Sequence, residues 1–214
     1  MSPYSRKSLG LPAGPVAGFT LIELLVSISI VSIILTVVVL NQSTYTDGAA
    51  LTNLADEINS TISQAQAYGI GVREVSTGSS EFNASYGVTM SLLGSGSNTA
   101  YIYFADLNGD KIYTGNWSCD TSECLNKVDI TRGNVIADIC VIKTSGSDPD
   151  QCNPAERADV SFARPSTEAQ IKLFNNGGQP LNESNLKGIR IELKSPRGLT
   201  RSVTVYTTGQ ISTQ

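Results

Sequence analysis

Gly18-Phe19-Thr20-Leu21-Ile22-Glu23-Leu24-Leu25 decides the fold, because one carboxylic acid stands four residues past a Gly-Phe junction inside an otherwise apolar segment. The uncharged remainder runs from Leu24 to Leu40, and with Phe19 to Glu23 it makes 22 residues, enough for a helix to cross the hydrocarbon core of a bilayer. An acid at that depth costs about 2.5 to 3.5 kcal/mol on insertion scales, which makes Glu23 a functional-site candidate that needs a cationic partner. Ahead of the run, residues 1–18 hold Arg6 and Lys7 and no acid. The N-terminus is therefore expected to stay on the cytoplasmic side while the rest passes outward. Pro3, Pro12 and Pro15 disfavour a helix in this leader. An ordinary secretory signal would place a small-residue cleavage site after its apolar run, but Leu40-Asn41-Gln42 offers none, whereas Gly18 lies before the run.

The octapeptide resembles the processing site of type IV prepilins and type II secretion pseudopilins. The resemblance implies that a prepilin peptidase cuts between Gly18 and Phe19 and methylates the new amine of Phe19. Glu23 then becomes the fifth mature residue, and the family role of that acid is to meet the N-terminal amine of a neighbouring subunit and so fix axial register. Each charge alone in lipid is unfavourable; together they form a charge-assisted contact whose net value depends on geometry. The resemblance also implies a single-pass protein of the bacterial inner membrane, its head in the periplasm or outside, incorporated into a pilus or pseudopilus. The implied partners are prepilin peptidase, other pilin or pseudopilin subunits, an inner-membrane assembly platform and membrane lipid. Two shorter stretches, Phe104 to Asp110 (Phe-x-Asp-x-Asn-Gly-Asp) and Arg201 to Gly209 (Arg-x-Val-x-Val-x-x-x-Gly), are similar to the head of minor pseudopilins of the general secretion pathway H type. Major pilins commonly carry a helix-bending proline where this chain has Leu40, which favours a minor pilin or pseudopilin.

Without its leader the chain keeps one domain of ordinary size beyond an elongated helix. Its formal charge moves from −4 to −6 as Arg6 and Lys7 leave, which disfavours general affinity for nucleic acid. Cys119, Cys124, Cys140 and Cys152 all fall in the exported part, where an even count suggests disulfides. Of the three pairings, Cys119 with Cys124 and Cys140 with Cys152 are favoured because each closes a short polar loop. A four-cysteine zinc site fits poorly, since the spacing lacks paired Cys-x-x-Cys knuckles.

Leu51, Leu54, Ala55, Ile58, Ile62 and Ala65 recur at steps of three and four among polar residues, as an amphipathic helix requires. Asn41-Gln42-Ser43 and Asp47-Gly48 are poor helix interior residues, so a local kink or melted turn is expected there. The helix should stop near Tyr68-Gly69. After a polar segment at Ser76–Ser80, β-type runs appear at Tyr86–Leu93, Tyr101–Ala105, Lys111–Tyr113, Val135–Ile142, Asp159–Ala163, Gln170–Phe174, Gly188–Leu193 and Ser202–Thr207. The last two form a hairpin: Ile189, Ile191 and Leu193 alternate with Arg190, Glu192 and Lys194, Pro196-Arg197-Gly198 turns the chain, and Val203 and Val205 return the apolar face. Helix first and strands afterwards give an α+β, type IV pilin-like fold, with a long N-terminal helix packed on an antiparallel sheet. The expected organisation is a leader at 1–18, a transmembrane or filament-core helix at 19–40, the amphipathic half of the helix at 41–70 and a β-rich head at 71–214.

Asp106, Asn108 and Asp110 present oxygens at alternating positions, like the opening of a calcium loop. Lys111 and Trp117 stand where an EF-hand needs Gly and an acid, so Asn108-Gly109 is read first as a hairpin turn, with calcium as the alternative. Lys187, Arg190, Lys194, Arg197 and Arg201 form a basic cluster opposed only by Glu192. A solvated strand face accounts for it better than DNA, phospholipid or an acidic partner. DNA-uptake minor pilins, which the chain also resembles, carry Gly-Arg-x-Arg near the C-terminus, where this chain reads Gly209-Gln210-Ile211-Ser212. There is no His, no Gly-rich phosphate loop and no nucleophile elbow. Neither catalytic residues nor a cofactor are therefore expected.

Overall fold

The structure, a computed structural model, describes residues 18–71, 74, 84–144 and 152–214. The rest of the leader, with Arg6, Lys7 and its prolines, and the polar segment Ser76–Ser80 lie outside the described residues. Among the described residues one helix, α1 (Leu21–Ile70), precedes eleven strands. These are β1 (Ser85–Ser91), β2 (Ser97–Asp106), β3 (Cys124–Asp129), β4 (Val135–Lys143), β5 (Pro154–Ala155), β6 (Arg157–Phe162), β7 (Gln170–Phe174), β8 (Pro180–Leu181), β9 (Leu186–Lys194), β10 (Thr200–Tyr206) and β11 (Ile211–Thr213). The chain divides into two compact units, Met1–Ser43 and Thr44–Gln214.

In the first unit the large apolar side chains from Leu21 to Val39 are exposed, Leu24 by 55% and Ile33 by 66%. The hydroxyls of this stretch are turned back on the helix itself: Ser27 Oγ donates to the Glu23 carbonyl, Ser29 Oγ to Leu25 and Thr36 Oγ1 to Ser32, at 2.8, 2.9 and 2.8 Å. Such back-bonding hides polar groups from an apolar solvent.

The second unit begins inside α1. Leu51, Leu54, Ala55, Ile58, Ile62 and Ala65 are each at most 6% exposed and belong to the main core. The amphipathic half of the helix thus packs into the core of the head, as its stripe of apolar residues predicts. The turn expected to melt between Asn41 and Gly48 is helical. Tertiary contacts offset its poor propensity: Arg197 Nε bonds Asp47 Oδ2 at 3.0 Å, and Gly48 faces Leu199. Gly69 has a packing reason, because a Cβ there would lie 2.3 Å from the Phe162 carbonyl oxygen.

The strands make two sheets where a single one was expected. One has the order β3-β2-β1-β6-β7-β8 and the other β11-β10-β9-β4-β5, and neighbouring strands are antiparallel in both. Burial along β1 explains the need for two layers of cover, since all seven of its residues are buried on both faces. Tyr86, Val88 and Met90 join the main core with the helix stripe and with Ile139, Ile189, Ile191, Val203 and Val205 of the second sheet. On the opposite face, Ile102 and Phe104 pack with Tyr113 and the partly buried Trp117 in a second, smaller core.

That smaller core is closed by the segment 107–123, which replaces the strand expected at Lys111–Tyr113. Three carboxylates organise it. Asp106 accepts the N–H of Gly109 at 2.7 Å and of Lys111 at 3.0 Å; Asp159 accepts the N–H of Tyr113 at 3.0 Å; Glu123 accepts the N–H and hydroxyl of Thr114 at 2.9 and 2.7 Å. Amides of this segment, that of the buried Tyr113 among them, thus find side-chain acceptors instead of a ladder partner. A disulfide between Cys119 and Cys124, Cα atoms 5.3 Å apart, closes the end of this segment, and a second between Cys140 and Cys152, 4.8 Å apart, ties β4 to the approach to β5. Each contributes about 2 to 3 kcal/mol if it acts by restricting the unfolded chain.

Candidate functional site

Gly18 and Phe19 precede α1 and are exposed, Phe19 by 82%. A side chain at position 18 would meet no atom within 4 Å, so this glycine answers no packing need of the described residues. Thr20 caps the helix: its hydroxyl oxygen accepts the Glu23 N–H at 3.3 Å and its carbonyl accepts the Leu24 N–H at 3.2 Å. Thr20-x-x-Glu23 is the spacing of a capping box, a signal that the sequence reading passed over. Glu23 is the acid of the first turn, where the helix dipole favours negative charge. Its side chain is exposed, at the head of a 19-residue span, Leu21–Val39, that is long and apolar enough to cross a membrane. At 1.5 Å per residue that span is about 28 Å long, close to the thickness of a hydrocarbon core.

Residues 15–39 match the family model described as the prokaryotic N-terminal methylation motif. This N-terminal segment is type IV pilin-like. The match covers the Gly18-Phe19 junction, Glu23 and the whole exposed span, and the motif implies processing by prepilin peptidase, assembly with other pilins and anchoring of this helix in a membrane. No match was found among curated proteins or among solved structures.

The other candidate residues of this chain fall in the head. Asp106 ends β2, buried, and besides the two amides it accepts the Ser85 hydroxyl at 2.7 Å and the Lys111 ammonium at 3.3 Å. Burial raises its carboxyl, but these donors outweigh burial and hold the acid below the usual carboxylate range. Asn108 and Asp110 bond each other and the local backbone: Asp110 N–H to Asn108 Oδ1 at 3.0 Å, the Asn108 amide to Asp110 Oδ2 at 3.0 Å, and Ile112 N–H to Asp110 Oδ1 at 2.8 Å. The hairpin expected at Asn108-Gly109 does not form. Positive φ falls on Gly109 and Lys111, 85° and 67°, and the Asp106 carboxylate takes up the amides that a returning strand would have bonded. The side-chain oxygens of Asp106, Asn108 and Asp110 accept N–H groups of their own loop.

Behind this loop sits a pair that the sequence reading did not single out. Arg157 donates through Nε and Nη2 to the fully buried Asp159, and through Nη2 to the Tyr113 carbonyl, while its guanidinium lies 4.7 Å from the Phe174 ring centroid. Thr89 also donates its hydroxyl to Asp159. Burial pushes the Asp159 carboxyl up, against the pull of Arg157. With its donors spoken for, this pair locks the loop to the sheet.

The basic cluster of the final hairpin does not share one face. Alternation places Arg190 and Lys194 on the side away from Ile189, Ile191 and Leu193, whereas Arg201 is level with Leu193 and Lys187 reaches the Tyr206 ring at 5.8 Å. Arg190 is paired with Glu192 at 2.9 Å and Arg197 with Asp47, so Glu192 is not the sole counter-charge. A Glu192 carboxylate oxygen lies within 4.8 Å of the sulfurs of Cys140 and Cys152, but those sulfurs are bonded to each other and offer no thiolate. Gly209, the last residue of the terminal motif, has φ +86°; Gln66 donates to its carbonyl at 3.0 Å, and a Cβ there would lie 2.2 Å from the Thr167 carbonyl oxygen. That glycine serves the fold, joining the helix end to two turns.

Proposed function

We propose that this chain is a minor subunit of a type II secretion pseudopilus or a type IV pilus, cut after Gly18, methylated on Phe19 and held in the bacterial inner membrane before assembly. The carrying observation is the Gly18-Phe19 junction set against an uncovered apolar helix with a single acid, Glu23, in its first turn. Packing between such helices comes from shape and from the Glu23 contact with a neighbour's amine, because lipid and helix interior are similarly apolar. The head presents a surface to other subunits or cargo. Catalysis and a cofactor have no part in this reading. The resemblances at Phe104–Asp110 and Arg201–Gly209 support the secretion pathway H type. A Gly18→Val variant coexpressed with prepilin peptidase tests the reading: its intact mass stays that of the unprocessed chain, while the parent loses residues 1–18. Equal processing of both would overturn it.

A DNA- or surface-capturing tip subunit is the second reading, carried by the exposed Lys194 and Arg201. A gel shift with the full chain in detergent separates the two. Salt-sensitive DNA binding lost in Lys194→Ser/Arg201→Ser supports capture; no shift at low salt supports secretion or assembly.

A further inference from the structure

Two turns of the second unit meet α1 where that unit begins. The β9–β10 turn reaches it through Arg197 to Asp47 and through Leu199 beside Gly48. The β3–β4 turn lies against the first, since a Cβ at Gly133 would be 2.9 Å from Pro196 Cγ, and it lines a groove with Ala50, Asn53 and Leu54 of the helix. Together they gather Arg132, Lys194, Arg197 and Arg201 at one end of a chain that is acidic as a whole; Arg132, Lys194 and Arg201 are exposed. The acids there are Asp47, paired with Arg197, Asp129, paired with Lys127 at 3.6 Å, Glu57 in the groove, and Glu192, which lines a cavity with Arg201 and is paired with Arg190 at 2.9 Å.

Asp47 comes eight residues after Val39, the end of the membrane span, which is roughly 29 Å of chain even when fully extended. Between them Tyr45 stands 81% exposed, an amphipathic ring of the kind that settles at a membrane–water interface. Leu199, at the tip of the basic turn, is 37% exposed. Chain length, charge and these two side chains agree on the occupant.

We propose that this end of the head docks on anionic phospholipid headgroups of the bilayer that holds Leu21–Val39. Arg132, Lys194 and Arg201 meet the phosphates, and Tyr45 and Leu199 lie at headgroup depth. The proposal rests on the membrane reading of the N-terminal helix. The contact holds the head against the bilayer until assembly draws the subunit out.

All four cysteines are disulfide-bonded, so a Thr200→Cys full-length chain can carry one environment-sensitive fluorophore in this turn. Reconstituted into phosphatidylcholine vesicles, the label reports water. With rising phosphatidylglycerol its emission shifts to the blue and is quenched by headgroup-labelled lipid, and salt reverses both. Arg132→Ser, Lys194→Ser and Arg201→Ser each weaken docking about fivefold. A label equally dry or equally wet in both lipids, or a triple variant that docks like the parent, overturns the proposal. Resistance to carbonate extraction reads insertion separately: an inserted chain with a silent label sinks docking alone, and an extracted chain sinks the membrane reading with it. DNA binding in phosphatidylcholine vesicles without any response to phosphatidylglycerol would reassign these cations to nucleic acid.

Discussion

The two halves of α1 are built from similar apolar residues and end in opposite circumstances. Between Leu21 and Val39 the large side chains stand more than half exposed, while Ile58, Ile62 and Ala65 are wholly buried under two sheets. The second half has found its partners within the chain. The first has not, and with its hydroxyls bonded back to the helix and one acid in its first turn it suits lipid or neighbouring helices rather than water.

Substitutions should divide the same way. The largest effect is expected at Arg157→Ala, which leaves Asp159 as an unpaired buried charge and costs the head about 3 to 5 kcal/mol. Ile62→Ala follows, at about 2 to 5 kcal/mol, whereas Ile30→Ala leaves the head's denaturant midpoint unchanged to within about 0.5 kcal/mol. Comparable losses from the two isoleucines would erase the distinction between the halves. Thr20→Ala removes the helix cap and costs about 1 kcal/mol, seen as faster amide exchange in the first turn with no change in the head.

The smallest effects are in pH dependence. Asp106 has a lowered pKa in the fold, so its contribution is complete above the ordinary aspartate value of 3.8 and is lost as pH falls through the lowered value. Asp106→Asn should flatten that acid limb. Tyr101 is pushed up to about 12 by burial, against the hydroxyl contact with Thr61, so its contribution holds below pH 10 and is lost as pH rises toward 12. Tyr101→Phe should remove that alkaline limb, and an unchanged melting profile above pH 10 would contradict the assignment.

How much of this was legible in the sequence depended on whether the signal was local. The exposed span, the helix stripe and the β9–β10 hairpin carry their periodicity in their own residues, and the two short cysteine loops their own closure. Segments whose partners are distant were misread. The stretch 41–48 has poor helix formers, yet Asp47 and Gly48 are held by Arg197 and Leu199 from far along the chain. The edge strand β3, with Leu125 and Val128 its only aliphatic residues and no buried position, has no alternation to see. Asn108-Gly109 looks like a hairpin until Asp106 is recognised as an acceptor for the loop amides. At the N-terminus, Gly18, Phe19 and Glu23 were readable as a motif, but the capping role of Thr20 was not drawn from it. Arg132 was missed because its nearness to Lys194 exists only once β4 pairs with β9.

Intact-mass analysis of the subunit taken from native filaments tests the central claim most directly. The account predicts a chain that starts at a methylated Phe19, with residues 1–18 gone. Finding Met1 still attached in the assembled form would contradict it.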